Sequence, residues 1–239
     1  MSSPHDAGDG GPGRGSPYWR RYFEAAAHDT DDHARVGYTN ARYSGLMHET
    51  LRRVLGPLAG RRVLDAGSGD GQVLGPVAGE ARIVAMDFTA AMSARAARRG
   101  LAAVRADVTC PPFRPQSFDD VLCAEVLTQV DRPAEAAAGL AALVRPGGRI
   151  VLSGLNQRSV LRHVVRTLGR LRGVVEPSLI DPMLLVRTLR DAGFDVEPVW
   201  WVGYVPTFVA RPRSALLHAL LALPATNFVV VARRRGGAA

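Results

Sequence analysis

A short apolar stretch, Val63-Leu64-Asp65-Ala66, runs straight into Gly67-Ser68-Gly69-Asp70-Gly71, and this junction restricts the fold more tightly than any other part of the chain. Three glycines spaced by two let the backbone turn sharply and let a ligand lie against it without side-chain interference. The surrounding pattern says what kind of sheet carries the loop. RRVLDAG, ARIVAMDF, AAVRADV, FDDVLCAEV and GRIVLSGL are short apolar runs separated by helix-like and turn-rich segments. That alternation predicts a parallel sheet covered by helices. Residues 89–100 open on Thr89, a cap candidate, and close on Gly100. Residues 131–145 open on Asp131 and Pro133 and stop at Pro146-Gly147-Gly148, so both segments read as crossover helices.

Outside this unit the pattern changes. From Asn40 to Leu58, Leu46, Met47, Leu51, Val54, Leu55 and Leu58 recur at helical spacing, with His48, Arg52 and Arg53 between them. After the fifth apolar run come helical patterns at about 157–172 and 182–192, then FDVEPVWWVGYV, a short helix near 213–223 and finally NFVVVARR. The two named runs are expected to be strands that pair as neighbours. No repeat or long linker separates the late helices, so they are expected to sit on the same sheet. Residues 1–17, rich in Gly, Pro, Ser and Asp, read as a disordered tail without the apolar run of a signal peptide. The apolar stretch Ala215 to Leu223 contains His218 and ends at Pro224, well short of the ~20 residues that span a bilayer.

Composition removes several chemistries. The 239 residues are 47% apolar and 22% charged, enough to build a folded core around one domain. All 30 basic residues are Arg, against 22 acidic ones, for a net charge of +8. Without Lys there is no Schiff-base enzyme, no pyridoxal-phosphate linkage and no P-loop lysine. The Arg-only set fits a GC-rich genome, so the charge adds only modest weight to nucleic acid or anionic lipid partners. Cys110 and Cys123 form no CxxC pattern and have no matching His set; neither a disulfide framework nor a metal site is implied. A cytoplasmic location is expected.

Asp87 lies 20 residues after Gly67, where a carboxylate at the end of the second strand can accept bonds from both ribose hydroxyls. Asp107 ends the third strand, in position to meet an adenine amino group. These residues could serve a nicotinamide dinucleotide, but the spacing is GxGxG, not GxGxxG, with Asp65 before it and Asp70 inside it. Two carboxylates repel a pyrophosphate and suit a ligand carrying an ammonium and a sulfonium.

At these residues the chain resembles the class I S-adenosylmethionine-dependent methyltransferases, and among them the small-molecule enzymes of ubiquinone and menaquinone biosynthesis. Asp65 to Gly71 is similar to their first motif, Asp87 to the acidic end of strand two, and Ala106-Asp107-Val108 to the turn after strand three. Phe118 to Leu127 resembles their fourth-strand segment, and Leu143 to Arg149 the turn into strand five. Asp191-Ala192-Gly193-Phe194 and FVVVARR resemble the end of the fold. The resemblance implies a three-layer, Rossmann-like α/β domain over residues 18–239, with a seven-stranded, mostly parallel sheet whose last strand is antiparallel. Residues 18–58 would form a helical lid, 60–155 the cofactor half and 156–239 the acceptor side. It further implies S-adenosyl-L-methionine as cofactor. Asp65 and Ala66 belong to the motif in which Gly67 and Gly69 line the methionine part; Asp87 would bind ribose and Phe88 would pack on adenine. Asp107 and Val108 would hold the adenine edge, and the Ala124 backbone would face the methionine amino group.

Methyl transfer from a sulfonium is a direct displacement that needs alignment and exclusion of water, plus a base when the acceptor is a weakly acidic oxygen. Candidate bases are His28, His33, His163, His218, Tyr38 and Glu125, with His163 and Tyr38 carried forward; the bland reading of His163 is a polar-face residue. Tyr43 could join Tyr38 in a lid. Trp200, Trp201, Tyr204 and Phe208 could line an apolar acceptor pocket or simply the core. From Arg158 to Arg172, Leu161, Val164, Val165, Leu168 and Leu171 share one helix face and Arg158, Arg162, Arg166 and Arg170 the other. The preferred reading turns the arginines to solvent; the other is contact with a membrane surface or an anionic acceptor.

The expected function is methyl transfer to oxygen or carbon of a small organic molecule. An RNA methyltransferase is the first rival, carried by the charge and by Arg233-Arg234-Arg235. Cys110-Pro111-Pro112-Phe113 imitates the motif of amino-methylating enzymes but precedes strand four, where Ala124-Glu125-Val126 follows instead. A cofactor-binding protein without catalysis and a dehydrogenase stand behind it.

Overall fold

The computed structural model describes residues 16–26, 41–171, 177–204, 207–211 and 214–236. Two helices lead, α1 (Ser16–Ala26) and α2 (Ala41–Leu55). Ser16 and Pro17 make the first turn of α1, just inside the stretch expected to be a tail, and residues 1–15 lie outside the described residues. On α2, Met47, Leu51 and Leu55 are fully buried, the row that four-residue spacing places on one helix face.

The alternating unit follows as β1 (Arg62–Ala66), β2 (Arg82–Asp87), α3 (Ala90–Arg98), β3 (Ala102–Arg105), β4 (Phe118–Ala124), α4 (Pro133–Ala142) and β5 (Val144–Leu155). Between β1 and β2 the helical segment shrinks to a 3-10 turn at Gly75–Val77, because Pro76 and four nearby glycines disfavour an α-helix. Pro146-Gly147-Gly148 is drawn into β5, and the β4–β5 register shifts between Phe118 and Asp120 to absorb it.

The chain ends with α5 (Val160–Leu171), α6 (Pro182–Asp191), β6 (Phe194–Val196), β7 (Trp200–Tyr204), β8 (Thr207–Ala210), α7 (Ala215–Ala222) and β9 (Asn227–Arg234). Sheet order is β3-β2-β1-β4-β5-β9-β7-β8, with β6 also paired to β9. β1 to β5 pair in parallel and β9 inserts antiparallel beside β5. The sheet therefore has the expected Rossmann-like character but, among the described residues, nine strands instead of seven. One reason is Pro198, which has no N–H and splits the expected FDVEPVWWVGYV strand into β6 and β7, both on β9. The other is β8, which folds back on β7 as a hairpin.

Two apolar clusters cover the two faces. α4 and α6 pack on one, around Leu140, Leu189 and Trp201, while α2 and Ala96 of α3 pack on the other. At the edge where β4 begins, Asp120 is fully buried and gripped by Arg61 and by Arg149 Nε at 2.8 Å. Its neighbour Asp119 accepts the Arg62 backbone N–H at 2.7 Å and pairs with Arg145. Among the described residues no helix is long and apolar enough to cross a membrane.

Candidate functional site

At the opposite edge, where β1, β2 and β4 end, a cleft opens around the glycine loop. This is where chain order reverses, β1 leading outward to β2 on one side and β4 following on the other. Gly67 holds φ +76°, and a Cβ there would stand 2.2 Å from Val126 Cγ2, so only glycine fits. The loop is tied down by Gly67 and Ser68 N–H groups donating to Met86 O at 2.7 and 3.0 Å.

Asp87 completes that tether. Its Oδ2 accepts the Gly69 N–H at 3.0 Å, while Oδ1 accepts both the N–H and the hydroxyl of Thr89 at 2.9 and 2.8 Å. A carboxylate oxygen has two lone pairs, so Oδ2 retains room for one more donor. Thr89 thus spends its hydroxyl on Asp87 and does not cap α3 as expected. Glu24 of α1 serves that helix instead, accepting the Ala90 N–H at 3.2 Å. Burial raises the Asp87 pKa, and these hydrogen bonds oppose the rise.

Asp65 is also buried and lines the cleft, with its Oδ2 meeting no hydrogen-bond donor. Burial first, and the Asp87 charge second, push its pKa up to about 7. Asp70 is different: Arg99 Nη2 pairs with its Oδ2 at 3.2 Å, and it is absent from the cleft wall. The two carboxylates that disfavour a pyrophosphate are therefore Asp65 and Asp87, not Asp65 and Asp70. Asp107 stands two residues beyond β3 and lines the cleft with Phe88, Val108 and Ala124, the last residue of β4. Arg20 of α1 lies 3.5 Å from Asp107 Oδ2 and 5.4 Å from the Phe88 ring centre.

Eight of the nine expected cofactor residues share this wall; Ala66 is packed into the core beneath it. His163 does not reach the cleft: it is exposed on α5, with Nε2 2.7 Å from Gln157 O. Tyr38, His28 and His33 lie outside the described residues, as do the side chains of His218, Tyr204 and Phe208. Tyr43 lies within α2, buried outside the cleft wall. Trp201 is core, and Trp200 lies between Arg53 and Arg211, 5.6 and 5.4 Å from its ring centre.

Other groups enter unannounced. Trp19 and Phe23 of α1 roof the cleft, one helical turn apart. His48 of α2 also lines it, its pKa pulled down to about 4 by burial and then by Arg52. Its place beside Met47 and three residues before Leu51, at the margin of the apolar stripe, was the available signal. Glu125, by contrast, was among the candidate bases; it lines the cleft just past β4 at φ +64°, rare for a residue with a side chain. Its Oε1 accepts Ser153 Oγ at 3.2 Å and its Oε2 accepts Asn227 Nδ2 at 2.9 Å, while burial raises its pKa.

The donor set fits an adenosyl ligand bearing positive charge. Asp65 offers an unused carboxylate oxygen to a cation, Asp87 one more acceptor position, and Phe88 and Val108 apolar surface to a planar base. Residues 64–152 match the methyltransferase domain family. A ubiquinone biosynthesis O-methyltransferase of Thiobacillus denitrificans is 33% identical over 165 residues, covering 63% of this chain and 71% of that protein. Among solved structures, an S-adenosylmethionine-dependent methyltransferase of Thermotoga maritima superposes with a TM-score of 0.65 at 17% identity, covering 81% of this chain and 90% of that one. A geranyl diphosphate C-methyltransferase of Streptomyces coelicolor, solved with S-adenosyl-L-homocysteine, gives 0.63 at 15% identity over 90% and 96%. These two likenesses speak for the fold alone.

Proposed function

The chain belongs to the S-adenosylmethionine-dependent methyltransferases, and from that premise we propose how its cleft binds the cofactor and methylates an oxygen of a small organic molecule. O-methylation is what the named relatives perform; the RNA and non-catalytic alternatives are not favoured. The acceptor class we assign is an apolar molecule carrying a weakly acidic hydroxyl, as expected for an intermediate in ubiquinone biosynthesis. The observation that carries the residue assignment is the orphan Asp65 oxygen beside Asp87, in a cleft where Gly67 leaves no room for a Cβ.

In this reading Asp65 faces the cationic part of the cofactor and Asp87 takes a ribose hydroxyl on Oδ2. Asp107 and Val108 hold the adenine edge against Phe88, and Gly67, Gly69 and Ala124 present backbone to the methionine part. When bound, the cofactor supplies a methyl group on a positively charged sulfur, open to displacement by an oxygen nucleophile. Trp19 and Phe23 keep water from the cleft. Glu125 takes the acceptor's hydroxyl proton on its carboxylate, which Ser153 and Asn227 hold in one orientation and burial makes more basic. The unfavourable backbone angle at Glu125 is the strain that fixes this aim. A cytoplasmic site of action fits the unpaired Cys110 and Cys123.

The test is turnover with methyl-labelled S-adenosylmethionine and a fractionated small-molecule extract, alongside calorimetry with S-adenosylhomocysteine. The wild type should label an apolar, hydroxylated fraction. Glu125→Gln should lower kcat about 100-fold with S-adenosylhomocysteine affinity within twofold of wild type, whereas His163→Ala should leave both unchanged. Tight cofactor binding without any labelled fraction would reject the catalytic reading.

A further inference from the structure

The chain's 30 arginines make positive charge plentiful, yet the cleft wall has very little of it. Even α5, whose arginines were expected in solvent, turns them the other way. Arg162 and Arg166 are half-buried on its inner side, where the Arg162 charge acts on the buried Glu125, while Val160, Val164 and Leu168 face outward. Neither arginine reaches the cleft wall. Among the described residues that wall carries four carboxylates, on Asp65, Asp87, Asp107 and Glu125, and one side chain able to bear a positive charge, His48.

S-adenosylmethionine carries a sulfonium, an ammonium and a carboxylate; the acidic groups of the wall suit the first two and repel the third. On charge alone the cleft favours the same molecule without its carboxylate, which has two positive charges and no negative one. Retaining the carboxylate takes a donor, and His48 stands where one is needed. Arg52, one turn further along the same face of α2, donates from Nη1 to Val73 O at 3.2 Å, so the helix is tied to the backbone that follows the glycine loop. His48 shares the wall with Gln72 and Val73 of that segment, whereas Phe88, Asp107 and Arg20 gather at the adenine end. It is buried, and the charges around it are Arg52 on its own helix, Asp70 in the glycine loop and Arg99 beyond α3. Burial first and Arg52 second favour the neutral ring, which still has one N–H to donate.

We propose that His48 is a specificity-determining residue: its ring N–H takes the cofactor's carboxylate and so selects S-adenosylmethionine over adenosyl ligands that lack this group. The inference rests on the reading in which the cleft binds that cofactor. It adds a residue of α2 to the glycine-loop and strand-end positions that the resemblance supplied.

The experiment is calorimetry of the full chain, without acceptor, using S-adenosylmethionine and decarboxylated S-adenosylmethionine. Against the preference set by charge alone, the wild type should bind the first about tenfold more tightly, the scale of one hydrogen bond to a charged group. His48→Ala, or His48→Leu should the smaller residue unfold the chain, should weaken S-adenosylmethionine by about tenfold or more. The decarboxylated ligand should stay within about twofold, which also shows that the variant is folded. His48→Gln keeps an N–H donor and should recover most of the loss. Equal affinities for the two ligands in the wild type, or a His48 variant that weakens both alike, would overturn the proposal and leave the cofactor assignment standing. A wild type that binds neither ligand would overturn both.

Discussion

The central strands end in acidic residues at both edges of the sheet, and the two edges treat those residues in opposite ways. Where β4 begins, Asp120 is buried between two arginines and Asp119 is bonded to the Arg62 backbone and paired with Arg145. Where β1 and β2 end, Asp65 is buried with an oxygen that has no donor, and its nearest charged influence is another carboxylate. A buried charge without a partner is costly. The first edge holds its carboxylates in ion pairs, while the second leaves a buried carboxylate oxygen at the cleft wall without a donor.

Three substitutions and a shift of pH break or sharpen that contrast. Asp120→Asn leaves Arg61 and Arg149 facing a neutral amide and should lower the unfolding free energy by about 3 kcal/mol, read by urea denaturation, with ligand affinity of the folded fraction retained. Gly67→Ala must adopt a left-handed backbone and push against Val126; a loss of about 2 kcal/mol in stability should come with lost S-adenosylhomocysteine binding, partly restored by Val126→Ala. Asp65→Asn should show the opposite division from Asp120→Asn. Calorimetry should find S-adenosylmethionine affinity lower by about 1–3 kcal/mol, and the denaturation midpoint at neutral pH should be equal or higher. Were Asp65→Asn to unfold the chain instead, the contrast between the edges would be wrong.

The smallest effect is in pH. The folded Asp65 pKa stands near 7 against an ordinary 3.8, so its neutral form is favoured in the fold. Its contribution to stability is complete below pH 3.8 and is lost as the pH climbs to about 7, because the unfolded chain gives up the proton first. A cationic ligand reverses the preference. Binding of S-adenosylmethionine below pH 7 should therefore release a fraction of a proton, seen as a dependence of binding heat on buffer ionisation, and Asp65→Asn should abolish it.

Asp65, Asp87 and the glycines were legible because strand ends and tight turns are local, written in apolar runs that stop at small residues. Asp70 was not, since its neutralising partner Arg99 arrives from the far end of α3. His48, Trp19 and Phe23 reach the cleft only because α1 and α2 dock where they do, and spacing alone does not carry docking. The same limit governs α5. Its period showed two unlike faces, but which one points inward depends on what the rest of the fold leaves beneath it. The strand count failed at Pro198, where the sequence still carries strand-forming residues on both sides but lacks one N–H.

The bond from Ala90 to Glu24 ties the helix that roofs the cleft to the start of α3. α3 begins without a side-chain cap of its own, and the carboxylate that serves its first turn belongs to α1. Swinging α1 aside to admit a molecule strips that turn of its acceptor and separates Arg20 from Asp107 as well. Loosening α1 should therefore be felt first as fraying at Ala90.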